Sequence, residues 1–439
     1  MDARVDIRVD AMSEARYVVA GAARPRSTWF NEVSQWANAG AIPAEFLKCV
    51  GLEELRGHMV SGRPLSSILV DGGLPGLDRD LLAVAAERDI AVIVARDARV
   101  PTDWMGLGAD AVLEPTFDRV ALLAALAATA TLVSRAEPVL HNPESSTGAS
   151  PIRGHCFAVV GSGGVGTSTV AMALAQGLGR SAGYANSTAL VDLSLRADQA
   201  MLHDTQSVTP GIQELVEGFR TRTLDPDDIR RLCFAIEGRG YDLLIGLRRR
   251  RFWTALRPNA CVASLNAFAS SFAAVVFDAD ADVEGESDSG SIDIEERNVL
   301  ARTSLAMADS VVVVGQASLK GLHSLTRVIH DLTDFGVAPG VIQPIINYAP
   351  QNPRARAAYG AALADLVDRP DLGDSASVAP PLFLPTRNVD ECVRAIAPLP
   401  SGIVDPLSTY ALHRLRGGTN TVGRSRWSRI APGLLSGRS

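Results

Sequence analysis

Nine residues, Gly161-Ser-Gly-Gly-Val-Gly166-Thr-Ser-Thr169, form the pattern in this chain best suited to chemistry. Glycines at 161, 163, 164 and 166 let a backbone wrap a phosphate. N–H groups at the start of a following helix add donors and a partial positive charge. The flanks agree. The apolar run Cys156-Phe-Ala-Val-Val160 predicts a buried strand before the loop, and Val170-Ala-Met-Ala-Leu-Ala-Gln-Gly-Leu178 predicts a helix after it. Phosphate loops of this kind ordinarily end Gly-Lys-Ser/Thr, the lysine reaching the β- and γ-phosphates. Here Thr167 stands in the lysine's place, and Ser168 follows as the candidate magnesium ligand. Lys48 and Lys320 are the only lysines in the chain, and neither is near the loop in sequence. Such a loop can cradle a nucleotide but lacks its best tool for γ-phosphate chemistry.

Further segments follow in an informative order. Thr188-Ala-Leu-Val-Asp192 and Phe272-Ala-Ala-Val-Val-Phe-Asp278 are apolar runs that end in an acid. Ala308-Asp-Ser-Val-Val-Val-Val-Gly315 and Val341-Ile-Gln-Pro-Ile-Ile-Asn347-Tyr are strand-like too. Taken singly, Asp192 reads equally as a magnesium-site remnant or a cap, Asp278 as a metal-site acid or a helix cap, and Asn347 as a site residue or a turn residue before Pro350.

Taken together, these segments resemble the MinD/ParA ATPases. Ser162-Gly-Gly-Val-Gly-Thr-Ser168 is similar to that family's deviant Walker A loop, Lys-Gly-Gly-x-Gly-Lys-Ser/Thr. Both lysines are replaced, the first by Ser162 and the second by Thr167. The resemblance spans residues 153 to 412. It implies ATP or ADP with Mg2+, held by Gly161, Ser162, Gly163, Gly164, Val165, Gly166, Thr167, Ser168 and Thr169, with Asn347 beside the adenine. It also implies Ser168, Asp192 and Asp278 at the metal, Asp278 in the Walker B place, and Asp192 as the candidate catalytic acid. Where the family carries a second acid that orients water, this chain has Ser194. An ATPase-like protein with weakened or lost hydrolysis is expected.

Composition supports an α/β protein. The 439 residues are 47% hydrophobic and 5% aromatic, enough for two or three domains. The net charge of −7 gives no reason to expect nucleic acid as a partner. Cys49, Cys156, Cys233, Cys261 and Cys392 include no close pair, against a zinc site or a disulfide framework. The first residues alternate charged and apolar side chains, unlike a signal peptide, and no apolar run reaches the ~20 residues of a membrane-spanning helix. A cytoplasmic protein is expected.

Residues 1–135 read as a separate unit. Strands are predicted at Arg16–Gly21, Leu65–Asp71, Ile90–Ala95 and Ala109–Leu113, with helices between them, which suggests a doubly wound parallel sheet. The unit resembles a CheY-like receiver domain with Asp71 at the phosphoacceptor position. It departs from that pattern at Gly21-Ala22-Ala23, where metal-binding acids belong, at Ala95 in place of a hydroxyl, and at Glu114 in place of a lysine. A degenerate, unphosphorylated interaction module is expected, because a phosphoryl group on Asp71 would lack both its metal and its counter-charge.

Residues 136–152, rich in Pro, Ser, Asn and Gly, read as a linker. The acidic stretch Asp278 to Glu296 predicts a mobile loop. Arg248-Arg-Arg-Arg251 reads as a solvated loop or a contact for phosphate or an acidic partner. Residues 413–439 form a basic tail that reads as disordered or as a contact for anionic lipid at the inner face of the cell membrane. A receiver-like unit ahead of a MinD/ParA-like one resembles the CpaE/TadZ group, including the actinobacterial septum-site-determining type. That resemblance implies a spatial regulator positioning pilus, secretion or division machinery, with protein partners and a homodimer. The alternatives are an active membrane-cycling ATPase and a nucleotide-free scaffold.

Overall fold

Almost every strand-forming run in this chain is apolar along its whole length, so its strands need cover on both faces. The computed structural model describes residues 16–25, 27–60, 64–133, 153–367 and 378–417, and these build two such sheets. The first holds β1 (Tyr17–Ala22), β2 (Ala44–Cys49), β3 (Ser67–Asp71), β4 (Ala91–Ala95) and β5 (Ala111–Leu113), all parallel. Their order is β2-β1-β3-β4-β5, one of the two common doubly wound arrangements. Alternate residues serve opposite faces. Val18, Ala20, Ile68 and Val70 pack with Leu55, Leu81 and Leu82, whereas Val19, Leu69 and Ile93 pack with Trp29, Val33, Leu122 and Leu126.

The second sheet holds β6 (His155–Gly161), β7 (Thr188–Asp192), β8 (Phe234–Ile236), β9 (Tyr241–Leu244), β10 (Ala274–Asp278), β11 (Ser310–Gln316), β12 (Ile342–Ala349) and β13 (Leu382–Pro385). The order is β13-β12-β11-β6-β10-β7-β9-β8, parallel except for the β8 edge. One face carries the helices Ile212–Thr221, Pro258–Ser271, Val299–Met307 and Leu319–Phe335. The other carries the helix Thr167–Gly179, buried along most of its length, and the helix Ser401–Gly417, which covers it with Ile403, Val404, Leu407 and Ala411. An α/β chain with two doubly wound, parallel or nearly parallel sheets is therefore the observed architecture.

Several details differ from the sequence reading. The sequence carries no sign of strands β2, β8, β9 and β13; β2 and β13 are mostly half-buried, and β8, β9 and β13 are at most four residues long, so neither alternation nor a long apolar run marks them. The acidic stretch is not a loop throughout: Glu286–Ser289 and Ile292–Arg297 are short helices. Its charge is offset by arginines that follow it, because Arg297 pairs with Asp282 at 2.9 Å and Arg302 with Glu295 at 3.7 Å. Asn298 also donates to Asp282, at 2.9 Å. The helix Ser401–Gly417 runs past the point where the basic tail was placed, and Arg414 donates to Ser310 Oγ at 3.1 Å. The linker and residues 418–439 lie outside the described residues.

The two sheets are joined through the helix Arg79–Ala86. Arg79 Nε donates to Phe219 O at 3.1 Å, Arg220 pairs with buried Asp78 at 3.4 Å, and the Asn259 N–H donates to Asp80 Oδ1 at 2.9 Å. Asp80 thus serves as a cap for the helix Pro258–Ser271 from the other sheet. Burial pushes its carboxyl above the usual range, and the Asn259 and Ala260 N–H groups oppose that rise. Among the described residues no helix is long and apolar enough to cross a membrane.

Candidate functional site

The glycine-rich loop leaves β6 at its carboxyl end and turns directly into the helix Thr167–Gly179. Two of its residues, Gly164 (φ 82°) and Gly166 (φ 88°), adopt the left-handed backbone that glycine tolerates best. No side chain caps the helix start, so its first N–H groups are left for another acceptor. At Gly163 and Gly164 an added Cβ would meet nothing within 4 Å, and the loop crest is open there. Thr167, in the lysine's place, turns its hydroxyl toward Gly161, where a Cβ would lie 2.7 Å from Oγ1. It supplies no charge. Lys320 is remote in sequence, yet it is exposed in the first turn of the helix after β11, the strand beside β6, and so shares the loop's end of the sheet.

Sheet register assembles the acids. Strand β10 lies between β6 and β7, and Asp278 is paired in register with Asp192. Both carboxylates are buried. The Ser168 side chain lies close enough to Asp278 to favour its ionised form, so the three sequence-predicted metal residues, Ser168, Asp192 and Asp278, converge. Asp192 receives the Ser194 N–H at 3.2 Å and the Gln199 N–H at 2.9 Å. Ser194 therefore contributes its backbone to Asp192 and brings no second carboxylate.

Neither buried acid has a cationic partner, and their acidities show it. Burial, and then the charge of Asp278, hold the Asp192 carboxyl well above the ordinary range. Burial raises Asp278 to about 6, against hydrogen bonds from Gln199 and Ser168 that favour ionisation. Two desolvated carboxylates beside a serine hydroxyl form a hard oxygen donor set short of positive charge, which fits a magnesium ion.

Sequence reasoning missed Gln199, which is fully buried at the centre of this group. Its Nε2 donates to Asp278 Oδ2 at 2.7 Å and to Ser168 O at 3.3 Å, while its Oε1 is buried without a partner. Its backbone carbonyl accepts from His203 Nδ1 at 2.8 Å, and His203 Nε2 meets the Tyr241 hydroxyl at 2.7 Å. Burial lowers His203 to about 4, so the ring is neutral, with Nδ1 as donor and Nε2 as acceptor. Only its position between a strand-end acid and the loop distinguishes this glutamine, and the sequence around it shows none of that.

Asn347 also lies at the loop, buried at the end of β12. Its Nδ2 donates to Val165 O at 2.9 Å, and its Oδ1 accepts the Tyr348 N–H at 2.9 Å. The side chain thus props the phosphate loop from behind. Beside it opens a cavity of ≈ 340 Å³ whose lining includes Tyr348, Pro350, Tyr359 and Thr386, at the carboxyl ends of β11, β12 and β13. Of the arginine cluster, Arg248 is paired with Glu214 at 2.9 Å, and Arg249, Arg250 and Arg251 are exposed.

The first sheet has its own strand-end cluster. Asp71 is buried at the end of β3, and its carboxylate has a cationic partner that the sequence did not announce. Arg24, beyond the Gly21-Ala22-Ala23 segment, donates Nε to Asp71 Oδ1 at 3.0 Å and Nη1 to Asp97 Oδ2 at 2.6 Å. Ser27 Oγ donates to the other Asp71 oxygen. Glu114 points away to exposed Arg96 at 3.3 Å. The sequence reading looked for a lysine at one place and overlooked an arginine folded back from another.

No family model matches this chain, and no curated protein matches it. The solved structures it is similar to include ParA- and MinD-type ATPases. A ParA family ATPase from Chlorobium tepidum TLS is 17% identical over 59% of this chain and 99% of its own, with a TM-score of 0.46. The septum site-determining protein MinD from Pyrococcus horikoshii OT3, complexed with Mg-ADP, is 15% identical over 62% and 100%, with a TM-score of 0.44. A putative plasmid partition protein from Borrelia burgdorferi B31, bound to AMPPNP, is 13% identical over 60% and 99%, with a TM-score of 0.42.

Proposed function

We propose that this chain is a spatial regulator of the MinD/ParA type, in the CpaE/TadZ group, that binds ATP or ADP with Mg2+ and hydrolyses ATP slowly or not at all. The observation that carries the reading is the register that sets Asp278 beside Asp192 under a glycine loop whose Ser168 lies near Asp278. The open N–H groups of Gly163 to Thr169 would receive the phosphates, and the cavity beside Tyr348 is placed for a base. Ser168 and Asp278 would hold the metal, with Asp192 behind them. A bound magnesium ion would neutralise phosphate charge. Thr167 offers no charge to a transferring phosphoryl and Ser194 no carboxylate to orient water, so binding outlasts catalysis in this site.

The first unit is read as a degenerate receiver-like module for protein contact. Arg24 already neutralises Asp71, which leaves no vacancy for a phosphoryl group. Its docking through Arg79 and Asp80 would pass partner contact to the nucleotide-binding unit. The basic tail, residues 418–439, is read as a contact for anionic lipid. A second reading, a nucleotide-free scaffold, is favoured by one observation: Gln199 already satisfies Asp278 without a cation.

Isothermal titration of the purified chain with ATP and ADP, with and without Mg2+, tests the proposal. Magnesium-enhanced binding that is lost in Asp278→Asn is expected. No binding of either nucleotide would leave the scaffold.

A further inference from the structure

Asp278 is the acid most directly placed to hold a divalent cation, since it lies near Ser168 and ends the strand beside β6, from which the loop leaves. One of its oxygens is already taken. The Gln199 amide donates to Oδ2 at 2.7 Å and to Ser168 O at 3.3 Å. The orientation of the amide follows from these two acceptors, because a flipped carbonyl would face two oxygens. The NH2 group carries the positive end of the amide dipole, and it lies between the loop serine and the acid, where a cation would be drawn. Its other end is poorly placed, since Oε1 is buried and has no partner. A buried carbonyl oxygen without a donor is costly, so the NH2 contacts are made against that cost. Gln199 also opens a four-residue helix, Gln199–Leu202, whose backbone is held from behind by His203 and Tyr241.

We propose that Gln199 is an internal gate of the metal site: its carboxamide occupies the cation position on Asp278, and a divalent cation enters only when that side chain swings away. The proposal deepens the reading of Ser168 and Asp278 as a cation site and does not depend on nucleotide binding. In the cation-free protein the amide satisfies a buried acid that would otherwise have no donor from outside the loop. Metal entry exchanges that hydrogen bond for coordination and releases Oε1 from its unpartnered state. The gate covers the Asp278 carboxylate with an uncharged donor and sets a threshold for magnesium.

The test uses the full chain and Mn2+ alone, with free Mn2+ followed by electron paramagnetic resonance and the metal-induced shift in melting temperature measured in parallel. Gln199→Ala should bind Mn2+ about tenfold tighter than wild type, the ratio that 1.4 kcal/mol represents, and should show the larger melting shift. Gln199→Asn, whose amide is one methylene too short to reach Asp278, should move in the same direction and serves if the alanine variant does not fold. Asp278→Asn should lose the binding. Equal or weaker Mn2+ affinity in both Gln199 variants, with Asp278→Asn still inactive in binding, would overturn the gate and leave the cation site standing. Absence of Mn2+ binding in every form would overturn the gate and the cation site together, whereas failure of nucleotide binding alone would touch neither.

Discussion

Stability should fall as the pH rises through the titration of the buried acid pair. Asp278 has a folded-state pKa of about 6, raised chiefly by burial, against about 3.9 for an unfolded aspartate. Because the folded value is the higher one, the folded state holds a proton that the unfolded state has released between these limits. The stabilisation is complete below about pH 4 and is lost as the pH climbs through 6. Two pKa units correspond to about 3 kcal/mol at 1.36 kcal/mol each. Asp192, raised by burial and by Asp278, adds loss in the same direction, and the pair titrates jointly. Asp80 and Asp242, also raised by burial, contribute to the same trend. The comparison that isolates the site is therefore wild type against Asp278→Asn. Urea unfolding from about pH 4 to about pH 7, with chelator, should show their stability difference shifting by about 3 kcal/mol, to the disadvantage of wild type at the higher pH. Saturating magnesium should suppress that shift, since a cation holds both carboxylates ionised at no cost. A difference that stays constant over this range would refute the account of two buried acids without a counter-ion.

The first sheet and the loop give two more expectations. Arg24→Ala leaves Asp71 buried without its guanidinium and should cost about 3 kcal/mol in urea unfolding, with partial recovery when Asp71→Asn is added. Gly166→Val places a Cβ about 2.6 Å from Asn347 Nδ2 on a backbone at φ 88°, so calorimetry should show nucleotide binding abolished and thermal unfolding a lowered melting temperature, whereas Thr167→Ala should change neither.

Contiguous patterns were legible in the sequence. The phosphate loop occupies Gly161 to Thr169 without a break, and its strand, glycines and helix are local properties of neighbouring residues. The apolar runs ending in Asp71, Asp192 and Asp278 likewise announced strands whose last residues emerge at one end of a sheet. Even the missing charges at Thr167 and Ser162 were plain. Tertiary structure alone decided which distant groups meet. Strand order sets β10 between β6 and β7, and only that order makes Asp192 and Asp278 neighbours, so that the charge of Asp278 raises the proton affinity of Asp192. Arg24 reaches Asp71 and Asp97 by folding across strand ends, and nothing in Arg24's own surroundings in the sequence announces it. Gln199 sits in a stretch with no periodic signal, Arg196-Ala-Asp-Gln199-Ala-Met, and becomes the centre of the acid site through burial and one 2.7 Å hydrogen bond. Local sequence fixes backbone shape because its interactions are between near neighbours; charge balance in a buried site depends on every group that the fold brings within reach, and no local pattern encodes that sum.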